Sequence, residues 1–342
     1  MRILEILTPS RLGGAEKYVG WISKEFRAMG HEVLVGIREC PQVEAFYQSL
    51  NVDVEVIKIA GKLNPFAHGR VKAFARNFRA DIVHTHLSTG SKWGLSAAKS
   101  IGIPGIGHVH SFNSMQPYRD ALKIIAVSNA VKEHILRNGF ASEKVDVVHP
   151  SSKIDISEPP YDIQRFDGLT ICCASRIRQD KGVEVLFRAF ELVHARIPNT
   201  RLLFCGDGPL LWKLQSRAAT QSLPVSFLGF RPDVAGILAA SDVAVQPSIA
   251  REGFGLSILE AQAVGTPVVA SNVGGVSEAM VPGRTGLLVE PADPYQLAEA
   301  LITLLTEEGT RMRMSQEARA FASQRTIERS AAELLAVCAR ME

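Results

Sequence analysis

Short apolar, β-branched runs alternate along this chain with longer stretches whose apolar positions recur at helical spacing. In the first half the runs fall at residues 3–7, 32–37, 52–57, 81–84, 105–109, 123–127 and 145–149, with helical periods between them, for example 15–29 and 71–79. A second set follows at 169–174, 200–205, 225–228, 242–246, 267–270 and 286–289, again separated by amphipathic segments. Alternation of this kind predicts an α/β protein with parallel sheets. Between the two sets, Pro150-Ser151-Ser152 opens a polar, proline-bearing stretch that reaches Asp167 and reads as a linker. The predicted organisation is an N-terminal Rossmann-like domain over 1–153, a linker over 154–167, a C-terminal Rossmann-like domain over 168–325 and a terminal helix over 326–342. Two doubly wound units of this kind predict ligand sites at strand C-termini, in a cleft between domains.

A chain of 342 residues exceeds what a single core usually organises, which agrees with two domains. No apolar run approaches the roughly 18 residues that cross a bilayer, so no transmembrane helix is expected. The opening residues 1–7 are interrupted by Glu5 and read as a first strand, not a leader. The five cysteines are an odd number without a C-x-x-C pair. Three of them (Cys172, Cys173, Cys205) sit in strand-like runs, which predicts buried free thiols instead of bridges or structural zinc. A reducing cytoplasm is the expected compartment. The net charge of +3 divides unevenly, with 19 Lys+Arg against 13 Asp+Glu in residues 1–150 and a net of −3 in the remainder. A basic half suits an anionic acceptor or the anionic inner face of a membrane, and equally an ordinary solvated surface. No nucleic-acid partner is expected.

The densest chemistry lies in Arg251-Glu252-Gly253-Phe254-Gly255-Leu256-Ser257-Ile258-Leu259-Glu260. Two carboxylates eight positions apart flank a Gly-Phe-Gly turn and the start of an apolar helix. Such a helix start offers unpaired N–H donors and partial positive charge to an anion. Carboxylate, bare amides and carboxylate together suit a ligand with hydroxyls at both ends and phosphates between them, which is the layout of a nucleotide sugar. Glu260 suits a vicinal diol such as that of ribose, and Glu252 the hydroxyls of a sugar. The amides of Phe254, Gly255 and Leu256 would add sugar and phosphate contacts. Upstream, Ser175-Arg176-Ile177-Arg178-Gln179-Asp180-Lys181-Gly182 follows a strand and opens a helix. Arg176 and Lys181, held at a strand end, can clamp a diphosphate. Gly13-Gly14 after the first strand lets backbone approach a phosphate, or makes only a turn. His84-Thr85-His86 and His108-Val109-His110 each place two imidazoles on one strand face. Zinc would need a carboxylate or cysteine to complete such a set, and the sequence supplies no well-placed one. Ser128 reads as a helix N-cap.

These segments resemble retaining glycosyltransferases of family 4, which have the GT-B fold of two Rossmann-like domains facing across a cleft. The resemblance rests on E-G-F-G-x-x-x-x-E from Glu252 to Glu260. It extends to R-x-x-x-x-K-G from Arg176, where Ser175 replaces the family's glycine, to G-G-x-E from Gly13, and to H-V-H-S-F around His110. It implies transfer of a sugar from a nucleoside diphosphate, with uridine the family-level expectation, to a glycan or lipid-linked carbohydrate, as in cell-surface polysaccharide or lipopolysaccharide synthesis. It assigns Arg176 and Lys181 to the diphosphate, Gly13 and Gly14 to the same group from the opposite domain, and His110 to the donor sugar. His84 and His86 fall on the acceptor side, His108 is structural, and Phe230 or Arg231 lies against the base. His110, Glu252, Arg176 and Lys181 form the catalytic set. No Asp-x-Asp motif stands out, so a fixed cationic clamp is expected to replace a metal ion, with no cofactor. Pro150-Ser151-Ser152 departs from the family's P-N-G. Two other readings stay open: a nucleotide-sugar 2-epimerase of the same fold, and a non-catalytic nucleotide-sugar-binding subunit. Phe112, Met115 and Tyr118 form an apolar-aromatic loop that either touches lipid or packs in the core.

Overall fold

The computed structural model describes residues 1–59, 61–153 and 166–341. The chain divides into two compact units, one of Met1–Lys153 with Thr326–Glu342, the other of Ile154–Arg325. Most of the predicted linker, 154–165, lies outside the described residues.

In the first unit the chain runs β1 (Arg2–Leu7), α1 (Gly14–Ala28), β2 (Glu32–Ile37), α2 (Pro41–Ser49), β3 (Asp53–Val56), α3 (Ala67–Phe78), β4 (Ile82–His86), α4 (Ser88–Ile101), β5 (Gly105–Val109), β6 (Lys123–Ala126), α5 (Asn129–Arg137) and β7 (Val145–Val147). All pairings are parallel, and the sheet order is β3-β2-β1-β4-β5-β6-β7. The chain therefore leaves β1 in one direction and returns to β4 on its other side. That reversal is the place where the loops of an open sheet diverge and leave room for a ligand. Side chains alternate across the sheet. Leu4 and Ile6 pack with Val71 and Ala75 of α3 and Ala97 and Ala98 of α4. Leu7 packs on the other face with Val19 of α1 and Val43 and Tyr47 of α2. Glu5 shares that second face and is wholly buried. β4 runs two residues beyond the apolar run at 81–84, so His84 and His86 both lie in the strand. α3 begins a turn before the periodic stretch at 71–79. Ser128 caps α5, accepting from the Val131 amide at 3.1 Å.

The second unit runs β8 (Leu169–Ala174), α6 (Val183–Arg196), β9 (Thr200–Cys205), α7 (Leu211–Thr220), β10 (Val225–Phe227), α8 (Val234–Ala239), β11 (Val243–Gln246), α9 (Leu256–Ala263), β12 (Val268–Ser271), β13 (Gly286–Val289), α10 (Pro294–Thr306) and α11 (Glu308–Ser323). Its parallel sheet has the order β10-β9-β8-β11-β12-β13, so the same reversal occurs between β8 and β11. All five cysteines are buried free thiols.

The last helix, α12 (Ile327–Ala339), belongs to the first unit. Thr326 caps it, and Ile327, Ala331, Leu334, Val337 and Cys338 form its buried stripe. It packs on α1, where the Tyr18 hydroxyl meets Ser330 Oγ at 2.6 Å. Ser330 spends its one proton on the His149 carbonyl at 3.2 Å, so Tyr18 donates to Ser330. Leu334→Ala should lower the stability of the first unit by about 3 kcal/mol, since it removes buried methyls from a contact that cannot fully collapse. Urea unfolding followed by tryptophan fluorescence checks this. Trp21 is buried in that unit, whereas Trp212 of the second unit is already exposed and reports little.

Candidate active site

Each unit gathers polar side chains at its own strand reversal. In the second unit the segment after β8 is held by backbone contacts. The Asp180 carbonyl accepts from the Ile249 and Ala250 amides at 3.1 and 3.2 Å. Gly182 has φ +65°, and a Cβ there would stand 1.8 Å from the Pro247 carbonyl oxygen. Only glycine lets the two loops close this far. The zipper sets Lys181 beside the loop that follows β11, and Lys181 Nζ forms an ion pair with Glu252 Oε1, the two side chains 15% and 16% exposed.

Glu252 is fixed in turn by polar residues at the end of β11. Ser248 Oγ donates to Glu252 Oε1 at 2.6 Å, Gln246 Nε2 donates to Ser248 Oγ at 3.0 Å, and Ser257 Oγ of α9 donates to Gln246 Oε1 at 2.6 Å. The Glu252 carbonyl accepts from the Gly275 amide at 2.9 Å. Gly255 caps α9 at φ +110°, and the first-turn amides of any helix lack intrahelical partners. Phe254 is buried behind them, Leu256 opens the helix, and Glu260 lies half-buried one turn further on. Arg176 stands close enough to Asp180 for its charge to act there. Burial opposes the charge of Asp180, but the Arg178 hydrogen bond and the charges of Arg178, Lys181 and Arg176 outweigh it and hold the carboxyl below its usual range. Phe230 is 52% exposed, while Arg231 is committed to a two-point pair with Asp233 at 2.7 and 2.6 Å. Of the two residues expected near a base, Phe230 therefore has the open face.

In the first unit the register sets Glu5 beside His84 and His86 beside His108, all on one face. Glu5 Oε1 lies 3.0 Å from His84 Nδ1 and Glu5 Oε2 lies 2.7 Å from His86 Nε2. Each imidazole leads to another: His84 Nε2 to His108 Nδ1 at 3.2 Å, and His86 Nδ1 to His110 Nε2 at 2.9 Å. Tyr18 covers the group with its ring edge toward His108 and His110, at 5.6 and 6.2 Å between centroids. Leu87, which follows His86, has φ +61°, a strained value for a side-chain-bearing residue that turns the chain directly from β4 into α4.

One expectation needs correction here, the missing carboxylate. His84 and His86, expected on the acceptor side, are buried, and their ring nitrogens are engaged by Glu5, His108 and His110. The sequence offered no carboxylate for the histidines, whereas Glu5 is that carboxylate, 79 and 81 residues away. Its one signal was an acid in an otherwise apolar strand. His84, His86 and His108 bring one ring nitrogen each within 4.8 Å of one another, a compact set of nitrogen donors for a cation. A metal would have to displace the hydrogen bonds that already join these rings. Gly13 is the N-cap of α1 and Gly14 its exposed first residue, and a Cβ on Gly13 would meet Glu16 Oε2 at 2.9 Å. Met115 and Tyr118 are buried at 3% and 1% and pack in the core, while Phe112 is half-buried.

Burial drives His86 and His108 well below the usual imidazole value, with neighbouring histidine charges adding to it. Burial, then the His84 charge, lowers His110 to about 3, against an opposing pull from Glu5. All three are neutral in the folded protein at neutral pH. In the unfolded chain each takes up a proton near pH 6.5. Below that value the unfolded state binds more protons, so stability falls as pH falls, by about 1.4 kcal/mol per pH unit for each fully coupled ring. The urea midpoint should drop between pH 6.5 and 5, before the lowered carboxylates Asp81, Asp180 and Glu328 titrate, and His110→Gln should make the slope shallower. A flat profile over that range would show that the rings are charged in the folded state.

Comparison with known proteins places this geometry. Residues 12–152 match the family described as Glycosyltransferase Family 4, and residues 164–321 match that described as Glycosyl transferases group 1. A D-inositol 3-phosphate glycosyltransferase of Pseudarthrobacter chlorophenolicus is 30% identical over 329 residues, spanning 84% of this chain and 74% of the relative. One from Corynebacterium glutamicum is 27% identical, spanning 90% and 86%. The crystal structure of Anabaena HepE in complex with UDP-glucose superposes with a TM-score of 0.87 at 26% identity, covering 98% of this chain and all of that one. With the motifs in place at both strand reversals, the chain belongs to glycosyltransferase family 4 and is a glycosyltransferase of the GT-B fold.

Proposed function

We propose that this glycosyltransferase moves a sugar from a nucleoside diphosphate, UDP in the first instance, to a carbohydrate or polyol hydroxyl with retention of configuration and without a metal ion. The observation that carries this reading is the Lys181–Glu252 pair at the β8/β11 reversal. A lysine and a glutamate that satisfy each other can both be redirected by one ligand carrying phosphate and hydroxyl groups. The diphosphate takes the ammonium together with Arg176, and the sugar hydroxyls take the carboxylate. The α9 amides, opened by Gly255 and Leu256, meet phosphate and sugar, and Glu260 accepts from the ribose diol. UDP-glucose in the HepE structure supports the choice of uridine.

In this reading the acceptor hydroxyl attacks on the face from which the diphosphate leaves, and a leaving phosphate oxygen takes its proton. Arg176 and Lys181 hold the negative charge that develops on the departing group, which is the role a divalent ion would otherwise fill. His110 meets the donor sugar, and Gly13 and Gly14 meet the diphosphate. The acceptor is a glycan, a lipid-linked carbohydrate or a phosphorylated polyol of the kind for which the relatives are named. A 2-epimerase would convert the donor with no acceptor present, so dependence of turnover on acceptor separates the two activities. Lipid-linked acceptors are supported by a segment ahead of α3. Leu63 and Phe66 are 92% and 68% exposed there, beside Lys58, Lys62 and Arg70. Among the described residues no helix is long and apolar enough to cross a membrane.

A thermal-shift series with UDP, GDP and ADP, with and without chelator, tests the donor site. The binding diphosphate should add about 2.7 kcal/mol of stability at a hundredfold excess over Kd, unchanged by chelator. Glu260→Ala should weaken that binding whatever the sugar. Lys181→Ala should lower kcat more than it raises the donor KM, because its charge matters most as the diphosphate departs. Full nucleotide affinity in the first variant, or full turnover in the second, removes those roles. Leu63→Asp with Phe66→Asp should abolish co-sedimentation with vesicles of anionic lipid, and retained binding would exclude this segment as the membrane contact.

A further inference from the structure

The two arms that leave Glu5 differ in where they end. His108 Nε2 is buried and has no hydrogen-bond partner among the described residues. His110, half-buried, has its Nε2 on His86, while its Nδ1 has no partner among the described residues and is absent from the fully buried, unsatisfied atoms. Proton positions along that arm follow by elimination. A carboxylate only accepts, so His86 Nε2, 2.7 Å from Glu5 Oε2, carries a hydrogen. A neutral imidazole carries one N–H, so His86 Nδ1 is a lone pair. His110 Nε2, 2.9 Å away, must then donate to it, which leaves the lone pair of His110 on Nδ1. The opposite tautomer would set the His86 Nε2 lone pair against the carboxylate at 2.7 Å, where neither side chain is exposed to solvent. Burial keeps both rings neutral, in agreement with this assignment.

We propose that Glu5 and His86 are positioning residues that lock His110 as its Nε2–H tautomer, so that His110 Nδ1 accepts a hydrogen bond from a substrate hydroxyl. The proposal rests on the reading that His110 meets the sugar. It adds a chemical rule to that reading: the group His110 takes is a neutral hydroxyl donor, because a fixed lone pair repels phosphate and carboxylate oxygens. A carboxylate that holds an imidazole in one tautomer by its far nitrogen is a known way to prepare a ring for catalysis. Here the hold passes through a second imidazole.

The first arm of the test reads the protein with its own residues in place and uses a variant only for assignment. Full-length protein with ¹⁵N-labelled histidine, assigned by loss of a signal pair in His110→Gln, should show His110 with a protonated Nε2 and an unprotonated Nδ1 near neutral pH. A protonated Nδ1 overturns the proposal whatever the enzyme transfers. The second arm is Glu5→Gln, which keeps the shape and admits either proton order. It should mix the His110 tautomers and lower kcat roughly tenfold to a hundredfold with little change in donor KM. Unchanged turnover with the tautomer mixed would overturn the positioning role. Should the protein transfer no sugar at all, the reading of its function fails, and the ¹⁵N spectrum still decides the tautomer. One tightly held zinc per chain by elemental analysis, removed only with loss of the His110 signals, would also overturn it, because the metal would occupy the nitrogens that the relay uses.

Discussion

A carboxylate inside an apolar sheet is tolerated only when its oxygens are hydrogen-bonded, and Glu5 imposes that condition on the whole first unit. It lies among Ile3, Leu4, Ile6 and Leu7, all essentially without solvent contact. The two ring N–H groups that satisfy it come from one H-x-H pair, because parallel pairing of β1 with β4 sets Glu5 level with His84 and alternation returns His86 to the same face. A register slip of one residue would turn the histidines to the far side and leave the acid unpaired. The buried pair thus costs desolvation free energy and in return selects one register, and it lies at the reversal where a Rossmann-like sheet opens.

The second unit reaches its arrangement by different means. Its charges are not buried deeply, and Lys181 and Glu252 keep about a sixth of their surface in solvent. What is rigid there is the backbone, through the Gly182 approach to Pro247 and the Asp180 carbonyl taking two amides. A hydrogen-bonded line from Ser257 through Gln246 and Ser248 then aims Glu252 without depending on the lysine. The carboxylate therefore has a fixed direction that does not rest on the ion pair alone.

The sequence conveyed the fold almost completely, because strand and helix periods are local. The runs at 169–174, 200–205 and 286–289 coincide with β8, β9 and β13. The motif around Glu252 and Glu260 was equally legible, since its acids and glycines fall within nine consecutive residues. Glu5 was not. Its meaning depends on a pairing between strands 79 residues apart, and in the sequence it looked only like a flaw in an apolar run. The hold of Ser248 and Gln246 on Glu252 was not legible for a related reason, as polar endings of a strand carry no motif. The burial of His84 and His86 was not legible either. Alternation says which side a residue faces, and only the helices packed on that side say whether a ligand can reach it.

The two clusters also differ in charge. Around Glu5 the rings with lowered values (His86, His108, His110) stay neutral, so the group presents lone pairs and N–H bonds with no mobile cation. Around β8 and β11 the charged groups are a guanidinium, an ammonium and a carboxylate. A diphosphate placed against the histidines would meet a lone pair and no compensating charge, while a sugar hydroxyl placed against Arg176 would waste a fork suited to phosphate oxygens. Phosphate therefore favours the β8/β11 reversal, and a neutral hydroxyl suits the β1/β4 one. The difference depends on the first cluster remaining neutral. That neutrality traces back to burial at the β1/β4 reversal.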